Sequence, residues 1–168
     1  MPASKNPLTD TTGEHCEEGQ SGPVWYLAGT FGTGTVERAC TVPAGRQLFF
    51  PIINSFCAAD PGTDRKTAIQ RQCASASLEG ASGTAEIDGT PVPNLSNYFV
   101  DPDTSPIFSL TLADNNVFGA PTGIYKPAAA GDIYRLLAPL PPGDHVIEFH
   151  GSSAGATVDV TYHLIVAA

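Results

Sequence analysis

Four polar side chains near the end of the chain have the types and spacing that could support metal chemistry. Residues 145–150 and 157–166 alternate between apolar and polar types, which predicts two strands paired as a hairpin about the loop 151–156. Because successive strand residues point to opposite faces, the alternation places four polar residues on one surface. They are Glu148, His150, Asp159 and His163. Imidazole and carboxylate groups bind divalent metal ions and act as acid and base, so we predict a metal site here.

The same four side chains have a simpler interpretation, a solvated polar face. Apolar Ile147 and Phe149 support this assignment of faces in the first strand, because a shift of one residue would expose both of them to water. They do not define the longitudinal offset between the two strands. That offset decides whether His163 can reach an ion bound by His150.

A second candidate cation site lies in the segment 101–105, which carries Asp101 and Asp103 at alternate positions. Alternating oxygen ligands begin the calcium loop of an EF-hand. An EF-hand is excluded, since Pro106 stands where that loop needs glycine and Leu112 where it needs glutamate. An irregular calcium site remains as a prediction, and an Asp/Pro turn is the alternative.

Trp25 and Tyr26 are adjacent aromatic residues in the short predicted strand 24–28. Neighbouring strand residues face opposite sides, so we expect one of the two rings to face outward. Exposed aromatic rings can stack against a sugar, whereas a single tryptophan more often packs in a core. These two residues are therefore the predicted stacking positions for a ligand.

Four cysteines occur, without the C-x-x-C spacing of zinc and thioredoxin-like sites. Three disulfide pairings are open. We favour Cys16 with Cys40 and Cys57 with Cys73, because each bridge then closes a local loop. Such bridges persist in oxidising compartments, which predicts a secreted or periplasmic protein. Met1–Lys5 begins no apolar signal segment, so we expect a mature chain with an added start methionine.

The net charge of −9, with only 8 Lys and Arg residues, argues against a nucleic-acid partner. No apolar run approaches the roughly 18 residues needed for a membrane span, so we expect no membrane insertion. An acidic chain is compatible with cationic ligands, calcium or neutral glycans. No cofactor is required by any motif, and a divalent metal ion is the one candidate.

The elements that would position these residues are short strands. The 17 Gly and 15 Pro residues predict many turns and little helix. The run Leu48–Ile53 has apolar residues at both parities, which predicts a central strand buried on both faces. Asp88-Gly89 predicts a two-residue hairpin turn. We therefore expect an all-β, antiparallel β-sandwich, jelly-roll-like or immunoglobulin-like, with one short helix near 64–76. Residues 1–22 are expected to form an arm tethered by a disulfide, and 23–168 a single domain.

Several segments together resemble a family of uncharacterised secreted bacterial proteins. The similar segments are His15-Cys16 with Gly19-Gln20, Gly22–Gly29, Glu37-Arg38 with Cys40–Gly45, Phe49–Pro51, and the ending Pro142-Gly143-x-His145-x-Ile147. The resemblance spans nearly the whole chain. It implies export and a β-sandwich-like fold, and it carries no activity or catalytic residue with it.

Three functions are compatible with these features. A secreted, disulfide-stapled module that binds a glycan or a cell-surface protein without catalysis is favoured, because no nucleophile and base stand at a suitable spacing. A metal-dependent extracellular enzyme, a hydrolase or an oxidase, is the alternative if the histidine face binds metal. A structural subunit that assembles through strand edges is the third, with the acidic arm before Val24 as the exchanging segment. The sequence does not decide whether the protein is an enzyme.

Overall fold

The computed structural model describes residues 1–31 and 34–168, and these form two five-stranded sheets with one α-helix. Short 3-10 turns lie at Ala3–Lys5 and Leu95–Tyr98. The elements in chain order are β1 (Val24–Tyr26), β2 (Val36–Val42), β3 (Gln47–Ala58), α1 (Thr67–Ser77), β4 (Ser82–Ile87), β5 (Thr90–Pro91), β6 (Phe99–Val100), β7 (Phe108–Leu112), β8 (Gly123–Leu137), β9 (Gly143–Ser152) and β10 (Thr157–Val166).

The first sheet is centred on β3 and β8, which pair antiparallel from Leu48 opposite Leu137 to Ala58 opposite Ala128. β1 pairs parallel with the other side of β3, while β6 and β7 both pair antiparallel with β8. The predicted central strand is therefore an interior strand. Its two faces differ, however, because Phe50 is buried whereas Phe49 is only half-buried. The outer face of this sheet is therefore only partly covered, in contrast to the expected burial on both faces.

The second sheet has the strand order β2-β10-β9-β4-β5. The predicted C-terminal hairpin is present as β9 and β10, with Asp159 directly opposite His150. The predicted Asp-Gly turn joins β4 to β5, and Asp88 and Gly89 have φ values of 50° and 72°. Two adjacent residues with positive φ are what a type I′ turn requires.

Apolar side chains from both sheets meet in one core, so the sheets pack face to face without closing into a barrel. Phe50 of the first sheet stacks on Phe149 of the second, with ring centroids 5.1 Å apart. Ile52, at the bulge in β3, packs where Gly83 and Gly151 lie opposite each other on β4 and β9. Glycine at both positions lets the bulged strand approach the facing backbone.

The chain is mostly strand with one helix among the described residues, which agrees with the all-β prediction. The prediction of antiparallel sheets is confirmed only in part, because each sheet contains one parallel pair among its antiparallel ones. β1 runs parallel to β3, and β2 runs parallel to β10 from Val36 opposite Val160 to Val42 opposite Val166. The second pair joins segments more than a hundred residues apart, which no local pattern in the chain indicates.

Both predicted disulfides are formed, Cys16 with Cys40 and Cys57 with Cys73. The first ties the N-terminal arm to β2, and the second ties β3 to α1. The helix spans Thr67–Ser77, within a few residues of the predicted 64–76. The extent of the arm, 1–22, and of the single domain, 23–168, stay predictions.

The arm covers the free edge of β2 through three interactions near Asp10. The Ala39 amide donates to the carbonyl of Thr12 at 2.9 Å, and Arg38 Nε donates to the carbonyl of Asp10 at 2.7 Å. Gly13 approaches so closely that an added Cβ would lie 2.0 Å from the Ala39 oxygen. The edge that an exchanging segment would use is therefore occupied by the chain's own arm.

Candidate functional site

A row of aromatic rings lies on the outer face of the first sheet. Strand alternation sends Trp25 and Phe50 into the core and leaves Tyr26 and Phe49 facing outward. Tyr26 is 52% exposed, and its ring centroid is 5.6 Å from that of Phe49. Phe49 in turn stacks on Tyr134 of β8, with centroids 5.2 Å apart. Three strands thus present a continuous, partly exposed aromatic surface, which we call the aromatic row.

The aromatic row ends at a cavity of about 300 Å³ between β8 and the segment that carries β6 and β7. Its lining is largely apolar, with a single carboxylate. The lining residues are Phe49, Val100, Ser105, Pro106, Phe108, Ala130, Gly131, Asp132 and Tyr134. Largely apolar walls with a few polar groups are typical of small-ligand sites. We call this cavity the Asp132 pocket.

Asp132 is the one carboxylate in the wall of this pocket. Its Oδ1 atom is buried and has no hydrogen-bond partner among the described residues. Burial raises the pKa of this carboxyl from 3.8 to about 6, because the charged form loses its hydration. The neighbouring outward residue is Asn54, which faces Asp132 across the β3–β8 ladder and is exposed. A carboxylate and an amide therefore stand beside the rings.

A second group of rings lies farther along β3. Phe56 contacts Phe118 edge-on at 5.4 Å between centroids, and Phe118 contacts Phe31 at 5.8 Å. Phe31 and Phe118 are both more than two-fifths exposed. At about 3.3 Å per residue, Phe49 and Phe56 stand roughly 20 Å apart along the strand, so the two groups suit an extended ligand.

Asp132→Asn should stabilise the fold at pH 7 and have little effect at pH 4. A raised carboxyl pKa in the folded state means that stability falls as the pH rises from about 3.8 to about 6, and that the cost persists above pH 6. Removing the charge should therefore increase the free energy of unfolding by about 2–3 kcal/mol at pH 7. Urea titrations at both pH values measure this, with the exposed Asp103→Asn as the control. A destabilised Asp132→Asn protein at pH 7 would contradict the argument.

The four residues of the predicted metal site share the outer face of the second sheet, but in different rows. His150 Nδ1 lies 2.9 Å from Asp159 Oδ1, directly across the ladder. Glu148 lies opposite Thr161 in the next row. His163 lies one row farther, opposite Val146, and its Nε2 is 2.6 Å from Glu37 Oε1 on β2.

The register separates the two histidines by four residues along the strand, or about 13 Å. The face therefore has two separate histidine–carboxylate pairs. No group of three or more histidine, cysteine or acidic residues that could hold a metal ion occurs within residues 1–31 and 34–168. Metal binding by His150, His163, Glu148 or Asp159 stays a prediction.

A third histidine–carboxylate pair, absent from the sequence predictions, lies beside the same face. His145 Nδ1 is 2.8 Å from Asp88 Oδ2, and this hydrogen bond is the main reason that the pKa of His145 is raised. A cavity of about 480 Å³ borders His145 and His163. Both imidazoles already have carboxylate partners, and Thr41 and Asp144 add further polar groups to the lining of this cavity.

Asp101 and Asp103, the predicted calcium ligands, lie in a hydrogen-bonded turn. Asp101 Oδ1 accepts from the Asp103 amide at 2.9 Å, and the Asp101 carbonyl accepts from the amides of Thr104 and Ser105. This geometry is that of an Asx turn. The turn lies against Gly131, where an added Cβ would be 2.5 Å from Pro102, and Ser105 at its end lines the Asp132 pocket. Calcium binding by these two residues stays a prediction.

Of the two predicted stacking residues, Tyr26 is exposed and Trp25 is 6% exposed within the core. A ligand on the outer face would therefore reach Tyr26. Sequence reasoning missed Phe49, Tyr134 and Asp132 as candidate site residues. The apolar run through Phe49 was interpreted as core, and Asp132 sits in a stretch without alternation. The sequence signal that could have identified Asp132 is an aspartate directly before Ile133 and Tyr134 in a predicted strand.

No protein-family model, no curated protein and no solved structure matches the chain. Among the helices of residues 1–31 and 34–168, none combines the length and apolar character needed to cross a membrane. The two disulfides indicate an oxidising, extracellular type of environment. Functional inference therefore depends on the geometry of the sites.

Proposed function

We propose that this protein is a secreted, non-catalytic β-sandwich module that binds a glycan on the outer face of its first sheet. The observation that carries the proposal is the aromatic row, in which Tyr26, Phe49 and Tyr134 are in ring contact and partly exposed. Exposed aromatic side chains in a continuous patch mark interaction sites more often than isolated ones do. We also propose that the sandwich has a jelly-roll-like or an immunoglobulin-like topology.

The chemistry of the row suits a sugar. A pyranose ring has an apolar face of C–H groups and a rim of hydroxyls, and aromatic rings cover the first while leaving the second in water. Asn54 and Asp132 beside the rings supply an amide and a carboxylate for hydroxyl contacts. The second ring group, Phe31 and Phe118, extends the surface along β3 toward further sugar units. A cell-surface protein is the other partner class for this face.

Glycan binding can be tested with Tyr26→Ala and Tyr134→Ala on a glycan array and by calorimetry with the retained glycans. Each variant should bind at least about tenfold more weakly, as expected for the loss of about 1.4 kcal/mol of stacking. Ile165→Ala is the matched control, because Ile165 is 55% exposed on the other sheet. The proposal would be overturned if the wild type bound no glycan on the array, or if Ile165→Ala lost as much affinity as the tyrosine variants.

A metal-dependent enzyme is the second candidate function, favoured by the pairs His150–Asp159 and His163–Glu37. A carboxylate on one imidazole nitrogen is the usual support for a histidine that binds metal through the other. Zinc or copper titration of the wild type and His150→Ala tests it. No binding by the wild type, or equal binding by both, would leave the polar face as solvated surface.

Assembly through strand edges is the third candidate. It requires release of the arm from β2, where Ala39 and Thr12 are now hydrogen-bonded. Size-exclusion chromatography before and after reduction of Cys16–Cys40 distinguishes it, since a mass above that of the monomer should appear only when the arm is free.

A further inference from the structure

We propose that the Asp132 pocket selects a positively charged group, so that the glycan recognised is one with free amino groups. This inference rests on the proposed glycan-binding function and adds the chemical class of the sugar. Its starting point is geometric. The pocket is continuous with the aromatic row through Phe49 and Tyr134, and it is lined by one carboxylate, Asp132, whose buried Oδ1 atom has no partner among the described residues.

An unpaired carboxylate oxygen in a largely apolar pocket is costly, because it has lost its hydration without a replacement. A protonated amine supplies what this oxygen lacks, namely a positive charge and three N–H donors. A neutral hydroxyl supplies one donor and no charge. Phe49 and Tyr134 also line the pocket, and an aromatic ring attracts a cation that approaches its face. The carboxylate and the aromatic lining therefore favour an ammonium group over a hydroxyl.

The charged groups around the pocket leave the Asp132 carboxylate available. Arg71 Nη2 donates to the Ser105 carbonyl at 3.0 Å, and Arg135 lies over the Tyr98 ring at 4.8 Å. Asp101 is engaged in its own turn, and Asp103 is exposed at the end of the same segment. No lysine or arginine is among the lining residues of the pocket. With a net charge of −9, the chain as a whole also attracts cations.

The pH dependence of binding follows from the Asp132 carboxyl. Above pH 6 the carboxylate of Asp132 is ionised and can pair with an amine, and below pH 6 it becomes protonated, since its pKa is about 6. Because the amines of an amino sugar are largely protonated at pH 6 and below, its affinity should fall as the pH is lowered from 6 to 5, where the Asp132 carboxyl loses its charge. The affinity for a neutral sugar should change little.

The test uses three β-1,4-linked oligosaccharides of equal length, built from glucosamine, N-acetylglucosamine or glucose. Calorimetry at pH 6 should show the glucosamine oligomer binding the wild type at least about tenfold more tightly than the other two. Asp132→Asn should remove this preference, because it should weaken binding of the glucosamine oligomer much more than binding of the neutral oligomers, for which the new amide can still contact a hydroxyl. Asp103→Asn, a matched loss of one exposed carboxylate nearby, should keep it.

The possible results separate this inference from the function on which it rests. Equal affinity for all three oligomers would overturn the amino-sugar inference while supporting glycan binding. Equal effects of Asp132→Asn and Asp103→Asn would also overturn it, because attraction would then come from the overall charge. Failure of the wild type to bind any oligomer, here and on the array, would overturn the glycan proposal itself.

Discussion

Arg38→Met should lower the free energy of unfolding by about 2–4 kcal/mol, because several buried acceptors would lose a charged hydrogen-bond donor. Arg38 is 1% exposed and has no carboxylate partner among the described residues. Its guanidinium donates instead to backbone carbonyls and to the Tyr162 hydroxyl, and it lies 5.4 Å from the Tyr162 ring. The carbonyl acceptors belong to Asp10, Ala28 and Gly29.

The large effect is expected because methionine restores the volume but none of the donors. Each carbonyl left buried without a donor costs about 1–3 kcal/mol. The contact with Asp10 is also lost, so the arm should open locally, and hydrogen exchange of the Ala39 amide should accelerate. Arg65→Met is the control, since Arg65 is exposed. Urea unfolding that gave the same stability for both variants would refute this role of Arg38.

Gly151→Ala should destabilise the fold by at least about 3 kcal/mol or prevent folding. An added Cβ at this position would lie 2.0 Å from the backbone oxygen of Ile52 and 2.9 Å from Ile53 Cβ. The clash is with backbone of the facing sheet, which cannot rotate away as a side chain can. The two sheets would have to separate around the bulge in β3, with loss of packing between Phe50 and Phe149.

Gly29→Ala is the matched control for this prediction. Gly29 is also buried, but a Cβ there would lie 3.7 Å from its nearest neighbour, Val158, which is ordinary contact. The control should unfold within about 1 kcal/mol of the wild type, whereas Gly151→Ala should not. Thermal unfolding followed by circular dichroism measures both. Equal midpoints for the two variants would show that the sheets tolerate the added carbon.

Features that depend on neighbouring residues could be predicted from the chain. The alternation in β9 and β10 gave the faces of Glu148 and His150 correctly, because side-chain direction in a strand depends only on parity. The Asp88-Gly89 turn and both local disulfides were predicted for the same reason, since each joins segments close in the chain. Outward exposure of one of the two aromatic residues at positions 25 and 26 also followed from parity.

Features that depend on distant residues required the tertiary structure. The offset of β10 on β9 separated His163 from His150, and the parallel pairing with β2 gave His163 its partner Glu37. Burial of Arg38 depends on carbonyls from the arm and from the segment after β1. The aromatic row and the Asp132 pocket combine β1, β3 and β8, which are far apart in the chain. A pattern along one strand records which side chains share a face, but the packing of other strands establishes whether that face is covered or left open to a ligand.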